Sequence, residues 1–162
     1  MAYLVDSDVF IQAKNMHYAF DVVPGFWDWL LDANANGTVA SVEAVGYELR
    51  GGGDELAQWV VDRDETFFLP PDDDVVASLR VVSEWATNCN RYTAGAIADF
   101  LGKADYYLVA YAHAHVDVVV THEVTSNSRN RIKIPDACAD LQIECITPFA
   151  MLREAGARFV RE

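Results

Sequence analysis

The chain has 162 residues, enough to bury about 70% of its unfolded surface, so it needs no disulfide or metal staple to fold. An apolar content of 52%, with four Trp, seven Tyr and eight Phe, excludes intrinsic disorder. A formal charge of −13 excludes, on charge alone, a basic nucleic-acid coat or a membrane-surface binder.

Almost all of that excess lies in residues 1–74, which carry 15 acids against Lys14, Arg50 and Arg63. An acidic surface that keeps the chain soluble explains this simply; convergence of a few acids on a divalent metal is the functional alternative. Three cysteines, Cys89, Cys138 and Cys145, with no C-x-x-C pair, indicate neither a disulfide framework nor a four-thiolate zinc site. They read as core thiols in a reducing cytoplasm. The N-terminus meets Asp6 at once and has no signal-peptide pattern, and no apolar run approaches the roughly 18 residues of a membrane span.

In chain order, Tyr3-Leu4-Val5 is a buried strand ending at Asp6. A helix runs from Pro24 to Asn36, stopped by Gly37. Thr38-Val39-Ala40 is a second strand, and Ser41 caps a helix from Val42 to Leu49. Asp54 starts a helix with Leu56, Trp59 and Val60 as its apolar stripe. Phe67-Phe68-Leu69 is a third strand. A long helix follows from Asp72 to Thr87, with Val75, Val76, Leu79, Val82 and Trp85 facing inward. Ala94 to Leu101 and Asp105 to His115 are helical. Val118-Val119-Val120-Thr121 is the most β-branched run and a central strand. Glu123 to Lys133 is a polar loop, Pro135 starts a short helix, Glu144-Cys145-Ile146 is the last strand, and Pro148 to Ala155 the last helix. This alternation predicts one α/β domain over residues 1–162, a three-layer α/β/α sandwich on a mainly parallel sheet of about five strands.

Ligands of such folds bind at the C-terminal ends of the strands. Asp6 ends the first strand, Glu123 follows the valine strand, and Asp105 opens the helix leading into it. Glu48, seven residues beyond Ser41, shares that residue's side of its helix. Four carboxylates meeting at one sheet edge suit a hard cation such as Mg²⁺ or Mn²⁺ and repel one another without it. Taken singly, each acid also suits a helix cap or a solvated face. The histidines do not suggest zinc: no H-x-x-x-H pair exists, and His113 and His115 are two apart on a helix.

The ordered set Tyr3-Leu4-Val5-Asp6-Ser7-Asp8, Ser41 to Leu49 with its Glu48-Leu49, Ala104-Asp105 before an Ala-rich helix, and Val118-Val119-Val120-Thr121-His122-Glu123 resembles the PIN-domain nucleases over about residues 3–149. Pro24 to Trp29, Lys133 to Cys138 and Pro148-Phe149 are similar to a PIN-like subfamily related to the VapC-like toxins. In place of the family's usual Asp at the fourth motif stands Glu123, one methylene longer. The resemblance implies a metal-dependent endoribonuclease, the toxin of a type II toxin–antitoxin module, with RNA as substrate, a cognate antitoxin as partner and often a homodimer. It implies that Asp6, Glu48, Asp105 and Glu123 are the catalytic, Mg²⁺- or Mn²⁺-holding carboxylates. Ser7 and Thr121 are helpers that orient a ligand or a water, with Asp8, Glu43 and Asp136 in reserve. Glu43 and Glu48, five apart and about 140° around a helix, do not serve one site together. Arg129, Arg131 and Lys133, directly after Glu123, offer phosphate contacts to RNA. Two other readings stand beside this one. A non-catalytic protein-binding module fits the acidic surface and Glu123, and Asp6-Ser7-Asp8 after a strand also suits a haloacid-dehalogenase-like phosphatase.

Overall fold

The computed structural model describes residues 1–161. Five short strands form an all-parallel sheet in the order β3-β2-β1-β4-β5: β1 Tyr3–Val5, β2 Val39–Val42, β3 Phe68–Leu69, β4 Val118–Val120 and β5 Cys145–Ile146. The helices are α1 Ser7–Gln12, α2 Pro24–Ala35, α3 Glu43–Arg50, α4 Glu55–Val61, α5 Asp73–Asn88, α6 Ala94–Leu101, α7 Ala104–His115, α8 Ile134–Asp140 and α9 Pro148–Glu154. A π-helical turn, Ala13–His17, continues α1.

Right-handed crossovers place α1, α2 and α4 on one face and α5 to α8 on the other, because the chain reverses direction after β3. Helices α2 and α7 both pack on β2, and α9 closes the first face, its Glu154 accepting a bond from the Tyr3 hydroxyl at 2.8 Å. The result is the three-layer α/β/α sandwich on a five-stranded parallel sheet expected from the sequence. Strands β1 and β4 mark the switch point: the chain leaves β1 toward β2 and returns on β1's other side. Val5 pairs with Val120, so Asp6 and Thr121 emerge side by side, and the Asp6 amide donates to the Val120 carbonyl at 2.9 Å.

The structure corrects two sequence expectations. Ser41 is not a helix cap: β2 runs on through Ser41 and Val42 in register with Phe68 and Leu69, and Val42 precedes α3. The fully buried Ser41 hydroxyl donates to the Val5 carbonyl, tying β2 to β1 near the sheet's C-terminal edge. On α5, Val76 is exposed and the buried stripe is Val75, Ser78, Val82 and Ala86. Ser78 is tolerated there because its hydroxyl pairs with His113 Nδ1 on α7 at 2.8 Å. His115 reaches Asp72 at the start of α5, so the two histidines of α7 serve helix packing.

Phe10 carries α1 into the core. It is fully buried, and its ring meets those of Trp59, Phe67 and Phe68 at centroid separations of 5.9, 6.2 and 6.0 Å. This packing fixes the helix that bears Ser7 and Asp8. Phe10→Ala is expected to cost about 3–5 kcal/mol in urea unfolding; a loss below about 1 kcal/mol would show that α1 is anchored elsewhere.

Candidate functional site

Asp6 caps α1 in an extended conformation, and its carboxylate turns inward until the residue is 4% exposed. One oxygen accepts the Ser7 amide at 2.7 Å, and the other accepts the buried Thr121 hydroxyl at 2.8 Å. Thr121 Oγ1 in turn accepts the Glu123 amide at 3.1 Å. A single threonine thus joins the ends of β1 and β4 and sets the turn that follows β4.

The other acids arrive from separate elements. Glu48, on α3, accepts the Ser7 hydroxyl at 2.8 Å and the Ala104 amide at 3.1 Å. It therefore caps the start of α7 from a neighbouring helix, where the helix dipole favours negative charge. Asp105 lies in the first turn of α7. Glu123 accepts the Ile134 amide at 2.8 Å and lies 3.3 Å from the Arg131 guanidinium. The extra methylene of Glu123 lets its carboxylate reach the start of α8. Asp8 accepts the His122 amide at 3.3 Å, and Thr121 Oγ1 lies 3.3 Å from its second oxygen.

These charges feel one another. Burial raises the Asp6 pKa well above the usual carboxylate range, and Asp8, Asp105 and Glu123 push the same way, against the Thr121 bond. Asp105 is pushed up to about 6, by burial first and then by Glu123 and Glu48, with Lys103 and Arg131 opposing. Asp6, Glu48, Asp105 and Glu123 are thus brought together, and Asp8 joins them. Glu43 and Asp136 do not. Glu43 lines a cavity of about 240 Å³ with Tyr47, Tyr107 and Tyr111, and Asp136 accepts the Ser126 amide at 3.0 Å within the polar loop. Of the loop bases, Arg131 leans on Glu123, and Arg129 fixes the loop by accepting the Thr93 amide at its carbonyl.

A family model described as "Domain of unknown function (DUF4411)" matches residues 3–159. The chain belongs to this family. Among solved structures, the DUF4411 chain is similar to FitAcB from Neisseria gonorrhoeae, with a TM-score of 0.55, 18% identity, and coverage of 91% of this chain and 98% of that one. At that identity the likeness shows the fold alone. None of the curated proteins matches it in sequence.

The donor set of this DUF4411 chain suits a hard divalent cation. Every candidate ligand is a carboxylate, and the buried Asp6 carboxylate lies among like charges that a cation would relieve. Among the described residues, no three acidic, His or Cys side chains already converge closely enough to hold a metal ion. Glu48 and Glu123 are drawn aside to the starts of α7 and α8.

Sequence reading missed one feature of this edge. The rings of His17, His122 and Phe149 touch pairwise, at centroid separations of 5.4 to 5.7 Å, beside Asp8. Burial lowers the His122 pKa and His17 adds to this, against the pull of Asp8. The placement of His122 beside Glu123 was the only sequence signal.

A raised carboxyl pKa means that the folded state holds its proton more tightly than the unfolded chain does. The stability contributed by protonated Asp6 and Asp105 is full below about pH 4 and is lost as pH rises, for Asp105 through about pH 6. Asp105→Asn is therefore expected to raise the melting temperature of the metal-free protein near pH 7.5, by a few degrees for about 2 kcal/mol. It is also expected to leave stability near pH 4 almost unchanged. Equal shifts at both pH values would show that repulsion is not the cause.

Proposed function

We propose that the chain is a metal-dependent endoribonuclease that hydrolyses RNA phosphodiester bonds at the β1/β4 edge. The observation that carries this is the set of carboxylates at the topological switch point: Asp6 and Asp8 on the Thr121 hydroxyl, with Glu48, Asp105 and Glu123 on the neighbouring helix starts. Asp6 is buried, Asp8, Asp105 and Glu123 are half-buried, and Glu48 is exposed at their edge; four acids so sheltered with so few cations among them are costly for a purely structural site.

Asp6, Asp8, Glu48, Asp105 and Glu123 are the residues that would hold a Mg²⁺ or Mn²⁺ ion, directly or through water, once side-chain rotation draws them closer than they stand. When bound, such an ion activates water and neutralises charge developing on the phosphate. The chain's own residues do the positioning. Thr121 and the Ser7 amide fix the two Asp6 oxygens. Ser7 Oγ and the Ala104 amide hold Glu48, and the Ile134 amide holds Glu123. Arg131, half-exposed beside Glu123, can leave that carboxylate for a phosphate oxygen, with Arg129 and Lys133 on the same loop adding charge. The reading carries with it what the PIN-like resemblance implies: a toxin of a toxin–antitoxin pair, held by a cognate antitoxin, often as a homodimer. No described helix is long and apolar enough to cross a membrane.

Purified protein incubated with total RNA and transfer RNA is expected to give discrete cleavage with Mn²⁺ or Mg²⁺, none with chelator, and none for Asp6→Asn. Folded, metal-independent silence in every arm would favour the protein-binding module, and hydrolysis of a small phosphoester without RNA cleavage the phosphatase. Mn²⁺ is expected to raise the melting temperature near pH 7.5, and less so near pH 5, where Asp105 is largely protonated. Neutralising Arg129, Arg131 and Lys133 together is expected to flatten the log–log salt dependence of single-stranded RNA binding by about two. An unchanged slope would remove the loop from the interface.

A further inference from the structure

The Thr121–His122–Glu123 turn sends neighbouring side chains to opposite sides of β4. Glu123 goes to α8 and its loop bases. His122 goes to the other face, where it meets His17 of the π-helical turn and Phe149 of α9. His17–Phe149 and His122–Phe149 meet edge-on, at interplanar angles of 83° and 65°, and the two imidazoles are inclined at 33°. His17 is exposed, Phe149 is 37% exposed and His122 is half-buried, so the cluster presents aromatic surface to solvent. Its foot is the His122 amide bonded to Asp8. The acid cluster thus lies between a basic loop on one side and an aromatic patch on the other. A π-helical turn is rare and frequently found at functional sites; here it ends on His17.

We propose that His17, His122 and Phe149 form a stacking platform that takes one unpaired base of a single-stranded RNA whose backbone crosses the carboxylates toward the Arg131 loop. The platform rests on the nuclease reading and adds to it that the substrate is unpaired next to the cut. Paired bases offer no free face to such a patch, whereas a splayed-out base stacks on imidazole and phenyl rings whatever its identity. The tyrosine-lined cavity of Tyr47, Tyr107 and Tyr111 is not placed for this role, because Tyr107 and Tyr111 lie on the far side of α7 from Asp105.

The test uses the full chain carrying Asp6→Asn, so that RNA survives, with Mg²⁺ and a short single-stranded RNA containing one 2-aminopurine moved along the sequence. At one position the 2-aminopurine fluorescence is expected to be quenched on binding. Phe149→Ala and His17→Ala are each expected to restore that fluorescence and weaken binding about tenfold, with Phe149→Trp retaining both. Melting curves confirm that the variants are folded. The same RNA annealed to its complement is expected to bind weakly and not to respond to the variants. Quenching and affinity that ignore both substitutions, or equal binding of an RNA abasic at the quenched position, overturn the platform while leaving metal-dependent cleavage by the unmodified chain standing. If the unmodified chain neither binds nor cleaves RNA, the nuclease reading fails and the platform fails with it.

Discussion

Asp6 brings a carboxylate into the interior at the point where β1 and β4 part, and Asp8, Asp105 and Glu123 stand close enough to raise its pKa. Two bonds make this tolerable: the Ser7 amide at the start of α1 and the Thr121 hydroxyl at the end of β4. Both depend on register. Val5 opposite Val120 puts Asp6 beside Thr121, and a one-residue slip of either strand would turn that strand's side chain away from its partner. The arrangement of the whole edge therefore follows from a three-residue ladder.

The neighbouring acids act as struts as well as charges. Glu48 links α3 to α1 through Ser7 and to α7 through the Ala104 amide. Glu123 links β4 to α8 through the Ile134 amide. Each carboxylate sits at a helix start, where unsatisfied amides and the helix dipole lower the cost of its charge. This is how five acids can be gathered in advance of any cation. The ring packing of Phe10 and the Ser41–Val5 bond hold the frame on which they stand. Local cost at the edge is supported by an otherwise apolar core.

The strands and most helices were legible because each is short, apolar and bounded by an acid, a proline or a glycine. The edge carboxylates were legible because a strand end locates them without any knowledge of packing. Ser41 was misread because a serine before an apolar helical stripe looks the same whether it caps a helix or ends a buried strand; the choice is made by Phe68 and Leu69, far along the chain. Val76 was misread because Ser78 is accepted inside only through His113 on another helix. Asp8, held only in reserve by the sequence, joins the cluster because the amide of His122, 114 positions away, comes to it. The His17–His122–Phe149 patch left only the place of His122 beside Glu123 as a trace, since its rings come from three distant segments, one of them a π-helical turn with no periodic pattern.

Net charge constrains how such a protein could hold a polyanion. At −13, its long-range field repels RNA, so diffusional steering does not supply affinity. What remains is short-range: a cation at the carboxylates, a few loop bases, and stacking, which salt does not screen. The residues that would supply them lie at one edge in the order aromatic patch, acids, basic loop. A chain so arranged would discriminate by whether a base is free to leave its stack, since the contact that escapes charge repulsion is the one a duplex withholds. On the proposed reading the acidic surface would serve selectivity as well: it would discourage nonspecific adhesion to nucleic acid and leave retention to the few residues around Asp6.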